Sequence, residues 1–265
     1  MRRQDRGATN SGHNSFHKNE IIGGRQAVLE ALRCGKPQQI LLAEGQKGMI
    51  INEIMVLARR QEVSLEILSK GNFNNVAGNI DGNQGVAAIV PPFQYFSLTG
   101  LIDTAKASVK KPFLIMLDHI EDPHNLGAVM RTADAAGISG LIIPNRRAAS
   151  VNATARKVAA GAAERLPVAM VGNLNQAAET LKKEGFWLYG AEAGADNEYY
   201  RADYLLPLVL VIGSEKKGIS QLLRQRCDLL ISIPMPGTSD GSLNVSVAAA
   251  LIVYAALSRR EGWSP

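Results

Sequence analysis

The chain from residue 112 onwards alternates between short apolar runs and segments in which apolar residues recur at helical spacing. A strand that is apolar at consecutive positions is typical of a parallel sheet whose two faces are both covered by helices. The apolar runs predict strands at 113–117, 140–143, 187–191, 208–212 and 229–233. The other segments predict helices at 126–136, 152–163, 174–184, 220–226 and 243–259. This part of the chain therefore predicts an α/β fold with a mainly parallel sheet.

The earlier part of the chain predicts a smaller α/β unit. Val28, Leu29 and Leu32 indicate a short helix within 24–35 that ends at a glycine. Strands near 39–43, 64–68 and 85–90 and a helix at 49–61 follow, and two prolines close the unit. The predicted organisation is a disordered basic arm at 1–19, a small domain at 20–92, a partly helical linker at 93–111 and a larger domain at 112–265.

Net charge, apolar runs and cysteine spacing indicate which partners and which cellular compartment suit the protein. The net charge of +5 and the pI of about 9.2 suit a polyanionic partner, although many proteins without one share this excess. The arm has no apolar segment of a secretory signal, and no apolar run approaches the roughly 18 to 20 residues of a membrane-spanning helix. Cys34 and Cys227 lack the spacing of a zinc site or a disulfide framework. We therefore expect a cytoplasmic protein that does not enter a membrane.

Common nucleotide-binding and hydrolase motifs do not fit this sequence. No G-x-G-x-x-G follows a predicted strand, and the turn at 213–220 lacks the Lys-Ser/Thr ending of a P-loop. The segment 237–241 matches the G-x-S-x-G of a hydrolase nucleophile elbow, which requires a histidine later in the chain. All histidines precede Ser239, which excludes that triad: His13, His17, His119 and His124.

One polar segment, at 117–137, combines an apolar helical stripe with unusual residues. Asn125 has the chemistry of a helix N-cap. Gly127 lowers helix stability, so it suggests that something passes close to the backbone there. Arg131 lies six residues after Asn125 on an alanine-rich helix. A simpler interpretation makes Asn125 the cap and Arg131 a solvated surface charge.

Two further segments follow buried strands. Glu215 lies in a glycine-bounded turn at 213–218, where it could simply favour the dipole of the next helix. Ser242, Asn244 and Ser246 crowd the start of a helix that needs only one cap. In open α/β sheets ligands bind beyond the carboxyl ends of the strands. The loops at 121–125, 213–218 and 234–242 are all predicted to lie there.

Taken together and in this order, these strings resemble the three motifs of the SpoU branch of the SPOUT RNA 2'-O-ribose methyltransferases. The strings are DPHNLGAVMRTA at 122–133, GSEKKGI at 213–219, and IPM followed by SLNVSVA within 233–248. Residues 147–167 resemble most closely the group that methylates a guanosine of large-subunit rRNA, and residues 20–92 are similar to its L30e/L7Ae-like RNA-binding domain. Two features depart from the pattern, a longer loop at 236–242 and the pair Lys216 and Lys217.

The resemblance implies a trefoil-knotted α/β domain that binds S-adenosylmethionine in the knot, mostly through backbone groups. The residues implied in donor binding are Gly190, Gly213, Ile233, Met235 and Leu243. The family resemblance also implies a homodimer whose active sites combine both subunits. No metal ion is required.

The resemblance further implies that Arg131 contacts the ribose hydroxyl, while other polar residues orient it, the donor and the ribose. These orienting residues are Asn125, Glu215, Ser242 and Asn244. A free guanidinium stays protonated to above about pH 12, so stabilising the developing alkoxide is easier to defend for Arg131 than simple proton abstraction.

The implied activity is methyl transfer to a ribose 2'-hydroxyl, with a guanosine of 23S rRNA as the expected target. A tRNA methyltransferase, an antibiotic-resistance rRNA methyltransferase and a non-catalytic ribosome-assembly RNA-binding protein are the alternatives. Intact polar residues at the motif positions argue against the non-catalytic alternative.

Overall fold

The first half of the chain folds into a small mixed sheet with helices on both faces. A computed structural model describes residues 19–35, 37–80, 82–107, 111–237 and 242–263. The elements of this half are β1 (Glu20–Gly23), α1 (Arg25–Cys34), β2 (Gln39–Ala43), α2 (Met49–Arg60), β3 (Ser64–Leu68), α3 (Lys70–Ala77) and β4 (Val86–Val90). The strand order is β1-β4-β2-β3, with β2 parallel to β3 and β4 antiparallel to its neighbours. Helices α1 and α2 cover one face, and α3 covers the other around Phe73.

The second half forms a larger, parallel sheet. Its elements are α4 (Leu98–Lys106), β5 (Phe113–Leu117), α5 (Pro123–Ala135), β6 (Gly140–Pro144), α6 (Ala153–Ala159), β7 (Val168–Val171), α7 (Leu174–Lys183), β8 (Trp187–Ala191), β9 (Asn197–Glu198), β10 (Leu208–Ile212), α8 (Gln221–Arg224), β11 (Leu229–Ser232) and α9 (Val245–Glu261). Short 3₁₀ helices lie at Ala162–Glu164 and Tyr199–Arg201. The strand order is β7-β6-β5-β10-β8-β11-β9, and all paired neighbours are parallel.

Both faces of this sheet are buried, which confirms the predicted fold class. Phe113 and Ile115 of β5 pack into the core that contains α5, α6 and α9. Leu114 and Met116, which point the opposite way, pack into the core with α4, α7 and α8. Because the strands are parallel, the loops that follow them gather at one side of the sheet, which we call the carboxyl edge.

The start of α5 differs from the prediction. The helix begins at Pro123, and Asp122 is its N-cap, with a side chain that accepts the backbone N–H of His124 at 2.8 Å. Proline is favoured in the first turn of a helix because it has no N–H, and an N–H at that position would have no acceptor within the helix. The interpretation of Asn125 as the cap is therefore wrong, and its side chain is left for another contact.

The close approach that Gly127 suggested is confirmed. A Cβ built there would lie 2.6 Å from the carbonyl oxygen of Ala155 and 2.7 Å from Cβ of Val158. Helix α6 of the same chain therefore crosses α5 at this point. The predicted helix at 152–163 is interrupted at Ala160, which adopts a left-handed conformation with φ of 49°.

Several short elements were missing from the predictions, namely β1, α3, β7 and β9. Helix α3 has the sequence KGNFNNVA, in which glycine and asparagine disfavour a helix. It forms because Ser69 caps it by accepting the N–H of Asn72 and because Phe73 and Ala77 are buried.

Some predictions stay open. All but one residue of the predicted arm at 1–19 lie outside the described residues, as do 108–110 of the linker and 238–241 of the longer loop. The proposed domain boundaries and the knot stay predictions. In the part of the chain that the structure describes, no helix is long and apolar enough to cross a membrane.

A buried arginine joins the two halves of the chain. Arg156 of α6 is only 7% exposed, and its Nε and Nη2 donate to Oε1 of Glu164 at 3.0 and 2.6 Å. Its Nη1 donates to the carbonyl oxygen of Pro91 at 3.2 Å and lies 3.6 Å from Oε2 of Glu20 in β1. The guanidinium therefore links α6 to the start of β1 and the end of β4, which lie side by side in the small sheet.

Neighbouring contacts extend this junction. Arg165 forms an ion pair with Glu30 of α1 at 3.3 Å and another with Asp134 of α5 at 2.7 Å. The backbone N–H of Val151 donates to the hydroxyl of Tyr95 at 2.8 Å. Residues 151–165 thus hold the first half of the chain against the second.

We expect Arg156→Ala to lower the free energy of unfolding by about 3 kcal/mol, because removing one partner of a buried ion pair leaves uncompensated carboxylates. Chemical denaturation followed by circular dichroism measures the change. Arg201→Ala, which removes an ion pair between Arg201, whose side chain is 73% exposed, and Glu198, is the matched control and should have little effect. An equal effect of the two substitutions would show that Arg156 does not hold the junction.

Candidate active site

The three polar motifs meet at the carboxyl edge of the large sheet. The side-chain amide of Asn244, just before α9, donates through Nδ2 to Oδ1 of Asn125 at 2.9 Å and to Oε1 of Glu215 at 2.8 Å. Asn125 lies in the first turn of α5, and Glu215 lies in the loop after β10. One side chain therefore connects segments that are 119 and 29 residues away.

The same residues organise the start of α9. Oδ1 of Asn244 accepts the backbone N–H of Ser246 at 3.0 Å and its hydroxyl at 2.6 Å, as expected of an N-cap. Oε1 of Glu215 also accepts the backbone N–H of Val245 at 3.0 Å, where a negative charge favours the helix dipole. The interpretation that Glu215 serves the next helix is wrong, because α8 begins only at Gln221.

A cavity of about 320 Å³ opens beside this network. This volume lies at the lower end of the range of about 300 to 1,000 Å³ that is typical of ligand pockets. Its apolar wall and its polar rim come from the loops after β8, β10 and β11 and from α9. The lining residues are Ala191, Glu192, Ala193, Ile212, Gly213, Ser214, Glu215, Lys217, Gly218, Ile231, Ile233, Met235, Ser242, Leu243, Val245, Ala248 and Ile252.

Most residues predicted to hold the donor line this cavity, and Gly190 does not. Gly213, Ile233, Met235 and Leu243 are among the lining residues. Gly190 lies behind the wall, where a Cβ would come within 2.9 Å of the sulfur of Cys227. Burial raises the pKa of that thiol to about 12, so it stays neutral at physiological pH.

The turn after β10 brings backbone groups to the cavity. A Cβ on Gly213 would lie 2.0 Å from the carbonyl carbon of Gly218, so no other residue fits there. Gly218 has φ of 61° and donates its N–H to the carbonyl oxygen of Ser214 at 2.8 Å. The two glycines thus close a tight turn that carries Glu215.

Two carboxylates at this edge were not predicted. Asp118, which is 4% exposed, accepts the N–H of Ser220 at 2.8 Å through Oδ2 and thereby anchors the far end of the Glu215 loop. Glu192 lines the cavity directly after β8, with Oε1 3.5 Å from Nε of Arg224. Both could have been found from the sequence, because each is an acidic residue directly after a predicted buried strand.

Arg131 stands apart from the cavity of its own chain. It is exposed on α5 and is not a lining residue. Within the described residues it has no hydrogen-bond or ion-pair partner. The structure thus joins Asn125, Glu215 and Asn244 directly and places Ser242 on the cavity rim, but it does not bring Arg131 to them within one chain.

Comparisons with known proteins agree with this architecture. Residues 112–254 match the model of the SpoU rRNA Methylase family, and residues 21–96 match a model described as RNA 2'-O ribose methyltransferase substrate binding. A relative from Staphylococcus saprophyticus is 40% identical over 242 residues, which cover 91% of this chain and 96% of the relative. One from Bacillus subtilis is 38% identical over 246 residues, 92% of this chain and 97% of the relative. Both carry the name of a TrmH family tRNA/rRNA methyltransferase.

Solved structures share the fold at low sequence identity. The SpoU methyltransferase AviRb from Streptomyces viridochromogenes, in complex with AdoMet, superposes with a TM-score of 0.76 at 22% identity, covering 95% of each chain. An AdoMet-bound rRNA methyltransferase from Sinorhizobium meliloti gives a TM-score of 0.74 at 22% identity, covering 94% of this chain and 89% of that one. Since the first family model spans more than half of the sequence and the bacterial relatives match nearly all of it, the chain belongs to the SpoU methylase family and is an RNA 2'-O ribose methyltransferase.

Proposed function

We propose that the chain acts as a homodimer that methylates the ribose 2'-hydroxyl of a guanosine in 23S rRNA. The observation that carries the proposal is the contact of Asn244 with Asn125 and Glu215 beside the cavity, because it joins all three motifs in one site. The choice of a guanosine in 23S rRNA rests on residues 147–167, which resemble the group with that target.

The cavity suits S-adenosylmethionine, the methyl donor. Bound there, the donor supplies a methyl group on a positively charged sulfur. Ile212, Ile231 and Ile233 offer apolar surface for a flat adenine, and the turn at 213–218 offers backbone groups. Among the charged lining residues the carboxylates of Glu192 and Glu215 outnumber the one cation, Lys217, so the wall keeps the sign of charge that favours a cation.

The residues of the chain have to align the ribose hydroxyl and help to remove its proton. Asn125 and Glu215 are both held by Asn244, so they are fixed in position before RNA arrives. Ser242 at the rim offers a hydroxyl for the donor or the ribose. Arg131 brings a planar, permanently charged group that stabilises the developing alkoxide.

The position of Arg131 supports a site that is shared between two subunits. A second copy can supply this arginine to the cavity, since no lining residue comes from that part of α5. Helix α9, which packs beside α5, exposes Val247, Leu251 and Tyr254 by 46%, 39% and 44%. Their spacing of four and three residues places them in one apolar stripe, which is suited to burial against a second copy.

The target is tested by mapping 2'-O-methyl groups in all rRNA and tRNA of a strain that lacks this protein. We expect one guanosine of 23S rRNA to lose its methyl group and to regain it on complementation with the wild type. Loss at a tRNA position would instead identify a tRNA methyltransferase. If no position changes, the protein does not methylate these RNAs in the cell, and the proposed target is wrong.

We expect Arg131→Ala to reduce single-turnover methyl transfer to below about a tenth of the wild-type rate, a barrier increase above about 1.4 kcal/mol. The dissociation constant of the donor, measured by calorimetry, should stay within a few-fold, because the arginine acts mainly in the transition state. Arg131→Lys should also be impaired, since it loses the planar fork. A rate above a tenth for Arg131→Ala would remove Arg131 from the central role.

We expect Leu251→Arg to convert the dimer to monomers, because a charge in the apolar stripe would be buried without a partner. Analytical ultracentrifugation measures the change. Leu222→Arg, at a leucine of α8 that is 63% exposed, is the matched control and should leave the dimer intact. A wild-type chain that sediments as a monomer would contradict the proposal.

A mixing experiment tests whether the sites are shared. Arg131→Ala keeps an intact cavity, whereas Ile233→Arg blocks the cavity and keeps the arginine. Mixed dimers should regain activity that neither variant has alone, because one of their two sites combines an intact cavity with an intact arginine. No recovery on mixing would mean that each subunit uses its own Arg131.

A further inference from the structure

Two consecutive arginines form the exposed tip of the loop after β6. Arg146 and Arg147 are both exposed, and neither has a hydrogen-bond or ion-pair partner within the described residues. Elsewhere in the described part of the chain many arginines are paired, as in the contacts of Arg156 and Arg165. The loop thus presents two positive charges that the protein itself does not neutralise.

The loop is anchored on both sides of this tip. The backbone N–H of Asn145 donates to the carbonyl oxygen of Val171 at 2.9 Å, and that of Ala149 donates to Ile120 at 2.7 Å. Ala149 is buried against the core of the large sheet. The two arginines therefore lie in a loop whose two ends are fixed by backbone hydrogen bonds.

The backbone at Arg147 is strained. Its φ of 54° lies in the left-handed region, which costs a residue other than glycine roughly 1 kcal/mol or more. No contact of its side chain within the described residues offsets this. Four other residues besides glycines share this region of φ, namely Glu62, Gln84, His119 and Ala160, so it is the two unpaired charges rather than the backbone strain that point to a ligand.

The position of the loop indicates which ligand the two arginines bind. Strand β6 is paired with β5, and the bond from Ala149 to Ile120 ties the loop to the segment that leads into Asn125. On its other side the loop leads into α6, whose Arg156 contacts Glu20 and Pro91 of the first half of the chain. Because residues 21–96 match the substrate-binding model, we call this half the substrate-binding half. Arg146 and Arg147 thus lie at the same carboxyl edge of the large sheet as the candidate active site, in a loop that leads directly into the helix that contacts the substrate-binding half.

We infer that Arg146 and Arg147 bind backbone phosphates of the RNA where it passes from the substrate-binding half to the cavity. The inference rests on the proposed function for its substrate. A guanidinium can bind a phosphate through two parallel hydrogen bonds, which fixes its direction as well as its charge. The pair therefore sets the path of the strand and carries no preference for base sequence.

The test compares binding of unmodified large-subunit rRNA transcript to the wild type and to the double variant Arg146→Gln/Arg147→Gln over a range of salt concentrations. Each phosphate contact contributes about 0.7 to 0.9 to the slope of log affinity against log salt, so the loss of two should reduce the slope by roughly 1.4 to 1.8. At about 0.1 M salt we expect RNA affinity to fall at least tenfold. Donor affinity should not change.

The control removes the same charge at the opposite side of the sheet. Lys111 and Lys183 are exposed just before β5 and β8, so Lys111→Gln/Lys183→Gln should leave the salt slope near that of the wild type. Arg147→Gly removes the side chain and relieves the backbone strain. It should weaken RNA binding without lowering thermal stability, which separates binding from folding.

The outcomes distinguish the inference from the function on which it rests. An unchanged slope in the double variant, with wild-type methylation intact, would overturn the phosphate site and leave the enzyme assignment standing. An equal loss in the lysine control would reduce the effect to general charge and also overturn it. A wild type that methylates no RNA would instead contradict the proposed function.

Discussion

The hydrogen bonds of the Asn244 side chain are the interaction on which the candidate active site depends. An amide has donors at one end and acceptors at the other, and this one uses both ends. Its oxygen caps α9, while its nitrogen holds Asn125 and Glu215. An aspartate could serve as the cap but could not donate to Glu215. The requirement for an asparagine therefore comes from the meeting of three segments and not from the helix alone.

Glu215 shows how the stability of the fold and the geometry of the site are linked. Its carboxylate accepts the first N–H of α9, which a helix N-terminus otherwise leaves without a partner. Asp118 anchors the other end of the same loop through Ser220. The loop is thus held at both ends by charge-assisted hydrogen bonds, which fix the carboxylate beside the cavity without a ligand.

Much of this arrangement could be predicted from sequence, and the gaps have physical reasons. Strands such as Phe113–Leu117 and Leu208–Ile212 are apolar at every position, so the sequence alone predicted that both of their faces are buried. Helix α3 was missed because its local preferences oppose it and tertiary burial of Phe73 overrides them. The assignment of Asn125 as a cap failed because Asp122 and Pro123 form a better helix start. Asp118 was missed because its partner, Ser220, lies 102 residues away.

The site residues named from the motifs fall into two groups. Asn125, Glu215 and Asn244 are in direct contact, which sequence order alone could not show. Arg131 is separate, because it lies exposed on α5 and does not line the cavity of its own chain. Gly190 was expected near the donor but packs against Cys227 behind the wall, where small size serves the packing of β8 against its neighbours.

The contact between Asn244 and Asn125 also has a consequence for the order of folding. It closes a loop of 119 residues, and the entropy of closing so long a loop must be offset before the contact can form. Contacts of this separation are slow to form compared with local helices and turns. The parallel strands can therefore assemble first, and the cavity beside Asn244 is complete only when α9 docks. During synthesis, a nascent chain that ends before residue 244 can form much of the sheet, but it lacks the side chain that joins the three motifs.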